Sequence, residues 1–482
     1  MVNRTALPLS RPVWAARPAW RRLGWASVIT GIWWAALTLH GWSGDARMDQ
    51  AMGQWIWAHH AWPRRDYWTT ATAGQPFTPT EWGYAVLVAF LGRTGTWGLN
   101  AALLAALAWG VTGWAAEWPG RWRGMLLING ALVLSFFIPP RPEIGSYLGW
   151  WLTLETLRRY RNTGQTRWLW GMTAVVAIWA TWHRSVWLVP ALWGWELMAG
   201  PADRRRGLWG PLVVALLLVN LPPAGGLNGL RFMAAVFNPH LRHHIAEWRG
   251  LAYTGLYGWA VLAFAAVLLW QLAPRLWPRP QRVRDLGWLV GALAASVFAV
   301  RLVPYAALGL GALAADLPWT FPRPLTHSAS PGTWNRLYAV MGAVLCVLGG
   351  VKVIQAGGFV SPWPRPLKTV LVQHHARNVL APEGDTLTTL GVKPWVDGQV
   401  QMDADQPWWP SWVHTVIGQT SPAVFAARWD PSSRWMIWPD RIWTPQGWHS
   451  VKVIGPWHAV WRGEMAWPQT NGIAVPTTLW TR

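Results

Sequence analysis

Apolar runs of roughly 15–20 residues, long enough to cross a bilayer core, recur from about Leu23 to Gln355. They predict crossings at 23–40, within 81–116, and at 124–138, 144–158, 167–182, 184–199, 207–221, 254–273, 286–301, 303–316 and 336–355. That is about eleven transmembrane helices. The stretch Glu81 to Ala116 is longer than one crossing needs, and Gly92 and Gly95 interrupt it. It is read as one crossing with a leading interfacial helix, because two crossings there would move every later arginine cluster to the opposite side.

Polar positions between the runs fall into two sets. Basic clusters fill every second gap: Arg4, Arg11, Arg17, Arg21 and Arg22; Arg121 and Arg123; Arg158, Arg159, Arg161 and Arg167; Arg204 to Arg206; Arg275, Arg279, Arg282 and Arg284. The positive-inside rule puts these gaps, and the N-terminus, in the cytoplasm. Alternate gaps then face outward, and they hold Asp45, Asp49, Glu81, Arg141, His183, His243, His244, Glu247 and Arg301. The basic start runs into Leu23–His40 with no small-residue cleavage motif after it, so this segment is expected to be a first membrane helix rather than a removable signal.

Two outward loops are long. Residues 41–80 contain a stretch, Asp49 to Trp62, with Met52, Trp55, Ile56 and His59 at helical spacing, which predicts a short helix lying in the interface and ended by Pro63. Residues 222–253 form the second, with an amphipathic centre. Pro318 to Trp334 is rich in Pro, Ser and Thr and reads as an inward linker. From Ala356 onward, β-prone pieces such as Lys368–Gln373, Arg434–Trp438 and Ser450–Ile454 alternate with Pro, Gly and Asp. The expected fold is an all-α polytopic membrane bundle, residues 1–355, with a C-terminal extracytoplasmic mixed α/β domain, residues 356–482.

Composition agrees with that division. The chain has 482 residues, 52% hydrophobic and 13% charged, too apolar and too segmented for one soluble domain. Mean hydropathy is only +0.15, because the scale treats the 47 Trp residues as mildly polar and the last quarter of the chain is not membrane-like. The tryptophans read either as codon bias or as interfacial belts and stacking surfaces. A net charge of +21 suggests nucleic acid, but the charge sits in short loops beside apolar runs and forms no compact basic module, which excludes that partner. The single Cys346 lies in an apolar run, leaving no disulfide framework and no cysteine metal site.

The outward residues carry the candidate chemistry. Asp45 and Asp49 follow the first helix at the membrane surface, where a carboxylate acts as a general base, binds a divalent cation (Mg or Mn) that bridges phosphate oxygens, or is simply a solvated loop acid. Glu81 opens a helical run, so it either caps that helix or takes part in chemistry. Arg141, between Pro140 and Pro142, and Arg301, at the end of an apolar run, oppose the charge bias and point to a shared anion role. His183 closes another run. His240 and His244 have the spacing of one helical turn, but there is no HExxH, no Walker loop, no GxGxxG after a strand and no GxSxG elbow.

The order of these segments resembles the polytopic GT-C-type glycosyltransferases, in particular a bacterial group related to aminoarabinose transferases and protein O-mannosyltransferases. In the first outward loop, GDARMDQAMGQWIWAHHAWPRRDYWTTATAGQPFTPTEW, the positions shared with that group are Asp45, Gly53, Trp55, Ile56, Pro63, Asp66, Gly74, Glu81 and Trp82. RPEIGSYL at Arg141–Leu148, WATWH at Trp179–His183, NPHLRHHIAEW at Asn238–Trp248, Arg301 and VDGQV at Val396–Val400 continue the match in order. The chain departs from the group at Arg47-Met48-Asp49, Gln54, Thr80 and Gln399.

The resemblance implies a GT-C-like bundle in the bacterial cell membrane that moves a sugar from a polyprenyl-phosphate-linked donor to an extracytoplasmic glycan, lipid or protein acceptor, with inversion. It implies Asp45 as base with Asp49 and Glu81 as further candidates, and Arg141, His183 and Arg301 as ligands of the donor phosphate. Asp66, Trp82, His243, His244 and Glu247 would contribute to substrate binding, and a divalent cation is allowed. Two other classes share the many helices and outward cations: a transporter or flippase of a lipid-linked or polymeric substrate, and a membrane scaffold or sensor.

Overall fold

The computed structural model describes residues 19–40, 44–69, 71–116, 127, 130, 131, 133–135, 137, 138, 140–221, 282–316, 371, 373, 379, 380, 411, 421–429, 435–439, 449–457 and 475–481. The loop holding His243, His244 and Glu247, the expected spans 254–273 and 336–355, the linker 318–334 and Val396–Val400 lie outside them. Among the described residues the chain up to residue 316 is helical: α1 (Ala19–His40), α2 (Gly44–His59), α3 (Trp82–Ala115), α4 (Glu143–Thr163), α5 (Arg167–Trp182), α6 (Leu188–Ala199), α7 (Ala202–Asn220), α8 (Arg282–Phe298) and α9 (Val303–Ala315). Leu127, Gly130, Ala131, Val133, Leu134 and Ser135 are also helical, inside the expected span 124–138.

Helix α3 is the one among the described residues long and apolar enough to cross a bilayer by itself. It breaks at Gly92, whose φ of 62° and ψ of −174° lie in a region closed to side-chain-bearing residues. Beyond the break about 23 residues remain, roughly 35 Å at 1.5 Å per residue, comparable with the hydrocarbon thickness. The Thr96 hydroxyl donates to the Gly92 carbonyl (2.7 Å) and satisfies one of the groups the break releases.

Helix α2 differs from the expected Asp49–Trp62. It starts at Gly44 and stops at His59, followed by His60 with φ 49°. With the start at Gly44, Asp45 falls in the first turn, where an acid suits the helix dipole. Its inner face, including Met48, Ala51, Met52 and Ile56, packs with Phe77 and Ala85. Gly53 sets the spacing: a Cβ there would overlap the Ala85 carbonyl of α3.

Two expected spans begin or end in 3-10 turns. Residues Arg184–Trp187 form one turn before α6, and Val300–Leu302 another before α9. His183 (φ −165°, ψ 145°) and Ala299 (φ −145°, ψ 126°) are extended, so the helical ladders stop there, with His183 at one break and Arg301 in the turn just after the other.

Tryptophan N–H groups join the helices. Trp150 donates to the Tyr305 carbonyl (2.8 Å), Trp179 to the Ser146 hydroxyl (3.0 Å), Trp182 to the Pro142 carbonyl (3.1 Å) and Trp195 to the Arg284 carbonyl (3.2 Å). A buried indole without a partner would be costly, so each bond fixes the relative height of two helices. By contrast the outer face of α7 is apolar: Trp209, Val213, Leu216 and Leu217 are exposed at helical spacing. Phe90, Ile178, Met198 and Val290 are exposed on other helices.

In the C-terminal part, β1 (Val379–Leu380), β2 (Trp435–Pro439), β3 (His449–Trp457) and β4 (Val475–Thr481) form a sheet in the order β1-β2-β4-β3. β1 runs parallel to β2, while β4 pairs antiparallel with both β2 and β3. Helix α10 (Pro422–Trp429) precedes β2. The expected strands at Arg434–Trp438 and Ser450–Ile454 correspond to β2 and β3. In the piece Lys368–Gln373 the described residues Leu371 and Gln373 are helical, not extended.

Candidate active site at the mouth of the bundle

Residues from four separate segments meet where α4 begins. Glu143 is the first residue of α4, directly after Arg141 and Pro142. Arg301, from the 3-10 turn before α9, donates through Nη2 to Glu143 Oε1. His183, at the end of α5, places Nε2 3.5 Å from Glu143 Oε1, 3.5 Å from Glu81 Oε1 and 3.4 Å from Arg301 Nη2. Glu81 is the residue before α3 and makes no side-chain cap to it, so its carboxylate serves this cluster and not the helix end.

The imidazole is held in one sense. The Ser185 N–H donates to His183 Nδ1 (3.2 Å), and the Ser185 hydroxyl stands 2.7 Å from the same nitrogen. A nitrogen that accepts an N–H carries no proton, so in neutral His183 the proton is on Nε2, facing Glu81 and Glu143. Arg301 then bonds to Glu143, and its approach to Nε2 is a contact between two donors.

Packing explains why these groups converge. Trp182 and Trp179 fasten the end of α5 to the start of α4, which brings His183 beside Glu143. Trp150 fastens α9 to α4, and the rings of Tyr147 and Tyr305 meet edge-on at 5.3 Å, which brings Arg301 over the same carboxylate. Arg141 interacts with Glu143, and Arg184 with Glu81. Tyr84, fully buried in α3, feels the charges of Asp49, Glu143 and Glu81.

The sequence candidates therefore divide. Glu81, Arg141, His183 and Arg301 come together, and Asp49 is buried on α2, where its charge acts on Tyr84. Asp45 stands one turn earlier on α2. His243, His244 and Glu247 lie outside the described residues. Asp66 lies in the loop between α2 and α3. It is buried, and its carboxylate accepts from the N–H groups of Trp68 (2.8 Å) and Thr69 (3.3 Å) and from the hydroxyls of Thr69 and Thr72. These bonds close the loop between α2 and α3, which Asp66 N–H to Gln75 O (3.0 Å) and Phe77 N–H to Arg64 O (2.9 Å) also tie across. Trp82 packs against Trp62 with ring centroids 5.7 Å apart.

Glu143 is the residue that sequence reading missed. Its signal was an acid two residues from the candidate cation Arg141, within the RPEIGSYL segment. Among the described residues no group of three or more His, Cys, Asp or Glu side chains stands at metal-holding spacing.

A second polar cluster marks the other end of the bundle. Glu155 accepts from Trp114 (2.8 Å), Arg158 (3.0 Å) and Arg159 (2.7 Å). Glu196 pairs with Arg161 and with Arg284 (3.4 Å), and Arg284 also pairs with Asp285 (2.8 Å). Glu143 and Arg161 lie at opposite ends of α4, roughly 27 Å apart at 1.5 Å per residue, close to one hydrocarbon thickness.

No protein-family model matches the chain, and comparison with curated proteins gives no match. Among solved structures, an archaeal oligosaccharyltransferase from Archaeoglobus fulgidus, in complex with an inhibitory peptide and a dolichol-phosphate, is similar at a TM-score of 0.49 and 9% identity. The similarity covers 87% of this chain and 69% of that one. A likeness at that level assigns no role to any residue here.

Proposed function

We propose that this chain is an integral membrane glycosyltransferase of the GT-C type, moving a sugar from a polyprenyl-phosphate-linked donor to an extracytoplasmic acceptor. The observation that carries the reading is the meeting of Arg301, His183, Glu143 and Glu81 at one mouth of the bundle, beside the helix that bears Asp45 and Asp49. Apolar outer faces on the helices suit a chain embedded in lipid, and the arginine-rich end at Glu155 and Glu196 suits the cytoplasmic side.

In this mechanism the lipid tail lies along the bundle and the phosphate reaches the mouth. Asp45, or Asp49 one turn away, takes the proton of the acceptor hydroxyl as its oxygen attacks the anomeric carbon. The bond from that carbon to the phosphate oxygen breaks with inversion, and the leaving phosphate gains charge. Arg301 and Arg141 stabilise that charge, and His183 offers its Nε2–H. The site needs no nucleotide-binding motif, in keeping with a lipid-carried donor.

The test is a transfer assay in membranes expressing wild type, Asp45→Asn and Asp49→Asn, supplied with radiolabelled polyprenyl-phosphate sugars. Wild type should move label to an acceptor, and one of the two variants should lose that activity. Absence of transfer by folded wild type across a range of donors would reject the enzyme reading in favour of a transporter or scaffold.

A further inference from the structure

We propose that Glu143 competes with the donor: its carboxylate holds the anion position at Arg301 and His183, and a lipid phosphate reaches Arg301 only by exchanging with it. This rests on reading the mouth as a lipid-phosphate site.

Three observations carry the exchange. First, a single oxygen, Glu143 Oε1, accepts from Arg301 Nη2 and also lies 3.5 Å from His183 Nε2. A phosphate oxygen bound by Arg301 and the Nε2–H would take that same position. Second, Glu143 Oε2 is buried without a hydrogen-bond partner. The acids that stitch this fold are saturated by contrast: Asp66 accepts four hydrogen bonds, Glu155 three, and both oxygens of Glu196 are taken. A carboxylate serving only as a bridge would have both oxygens engaged. Third, the Arg301 side chain is 29% exposed and that of Glu143 8%. The arginine is therefore on the open side, and an arriving anion meets it before the acid behind it.

Glu143 keeps support when it gives up Arg301. It sits in the first turn of α4, where the helix dipole favours an anion. Arg141 remains close enough to act on it electrostatically. The exchange thus moves one guanidinium between two anions and leaves no buried charge uncompensated.

The experiment measures binding of a sugar-free polyprenyl phosphate to the full chain in lipid nanodiscs. Wild type, Glu143→Gln, Arg301→Gln and the double variant are compared. Removing the competitor should tighten binding about tenfold in Glu143→Gln, the scale of one charge-assisted hydrogen bond. Arg301→Gln should weaken it by a similar factor or more, and the double variant should bind like Arg301→Gln, because the gain acts through Arg301. Glu143→Asp, whose shorter side chain draws the carboxylate away from Arg301, should shift binding in the same direction if the Gln variant fails to fold. Equal or weaker binding by folded Glu143 variants, with Arg301→Gln still impaired, would overturn the exchange while leaving the lipid-phosphate site in place. A wild type that binds no lipid phosphate, indistinguishable from Arg301→Gln, would remove the underlying reading and the exchange together.

Discussion

Arg301 donates to Glu143 across 158 residues of sequence, from a 3-10 turn on one side of the mouth to the first residue of α4 on the other. The pair exists because Trp150 and Tyr147 of α4 hold the start of α9 at one height. In the proposed mechanism Arg301 acts through its guanidinium fork. Arg301→Lys keeps the charge but loses the planar donor pair, and Arg301→Gln loses both. Transfer efficiency should fall about tenfold for Lys and on the order of 10²–10³-fold for Gln. The readout is kcat/KM in the membrane assay, with thermal unfolding to confirm a folded protein.

Asp66 should behave as a structural residue. Asp66→Ala strands two backbone N–H groups and two hydroxyls in the loop between α2 and α3. A cost of about 2–4 kcal/mol is expected. Asp66→Asn retains one acceptor oxygen and should lose less. A normal Tm for Asp66→Ala combined with a raised KM would instead return this residue to the substrate.

Gly53 controls how closely α2 lies on α3. Gly53→Val puts a branched side chain where even a Cβ overlaps the Ala85 carbonyl. Overpacking of this kind costs about 1–3 kcal/mol, and it lifts Asp45 and Asp49 away from the mouth. Transfer should fall by more than stability accounts for, measured as kcat on protein shown to be folded at the assay temperature.

The distant cluster should affect stability alone. Glu196→Gln leaves Arg161 and Arg284 without their shared carboxylate. Breaking a buried pair in this way costs about 3–5 kcal/mol. Thermal unfolding in detergent should show the loss, while transfer per folded molecule stays at the wild-type level.

Topology can be tested with single cysteines. In a Cys346→Ser background, Gln54→Cys on the exposed face of α2 and Arg206→Cys on α7 should label from opposite sides. An impermeant maleimide should reach Gln54→Cys in intact cells and Arg206→Cys only after permeabilisation. The reverse pattern would invert the bundle and move the mouth to the cytoplasm.

Among the described residues up to 316, hydrophobic periodicity in the sequence marks where most helices run. The span 167–182 coincides with α5, and the break at Gly92 falls in the expected Gly92–Gly95 window. These features are local: an apolar run of set length, a glycine, a proline pair. Alternation of arginine-rich and acid-containing gaps also separated, from sequence alone, the residues that meet at each end of α4. Pairing was not legible in the same way. Whether Glu81 caps its helix or faces His183, and whether Asp66 meets a ligand or its own loop, depends on which side chain arrives from another segment. Glu143 could not be singled out, because an acid in a first helical turn already has a local explanation in the helix dipole. The tryptophans read from sequence either as codon bias or as belts and stacking surfaces, and several donate between helices. Sequence fixes which groups reach the mouth, since hydrophobic length sets where each helix ends. Tertiary packing alone decides which of them touch, because hydrogen bonds between helices select one height and rotation among the many that periodicity allows.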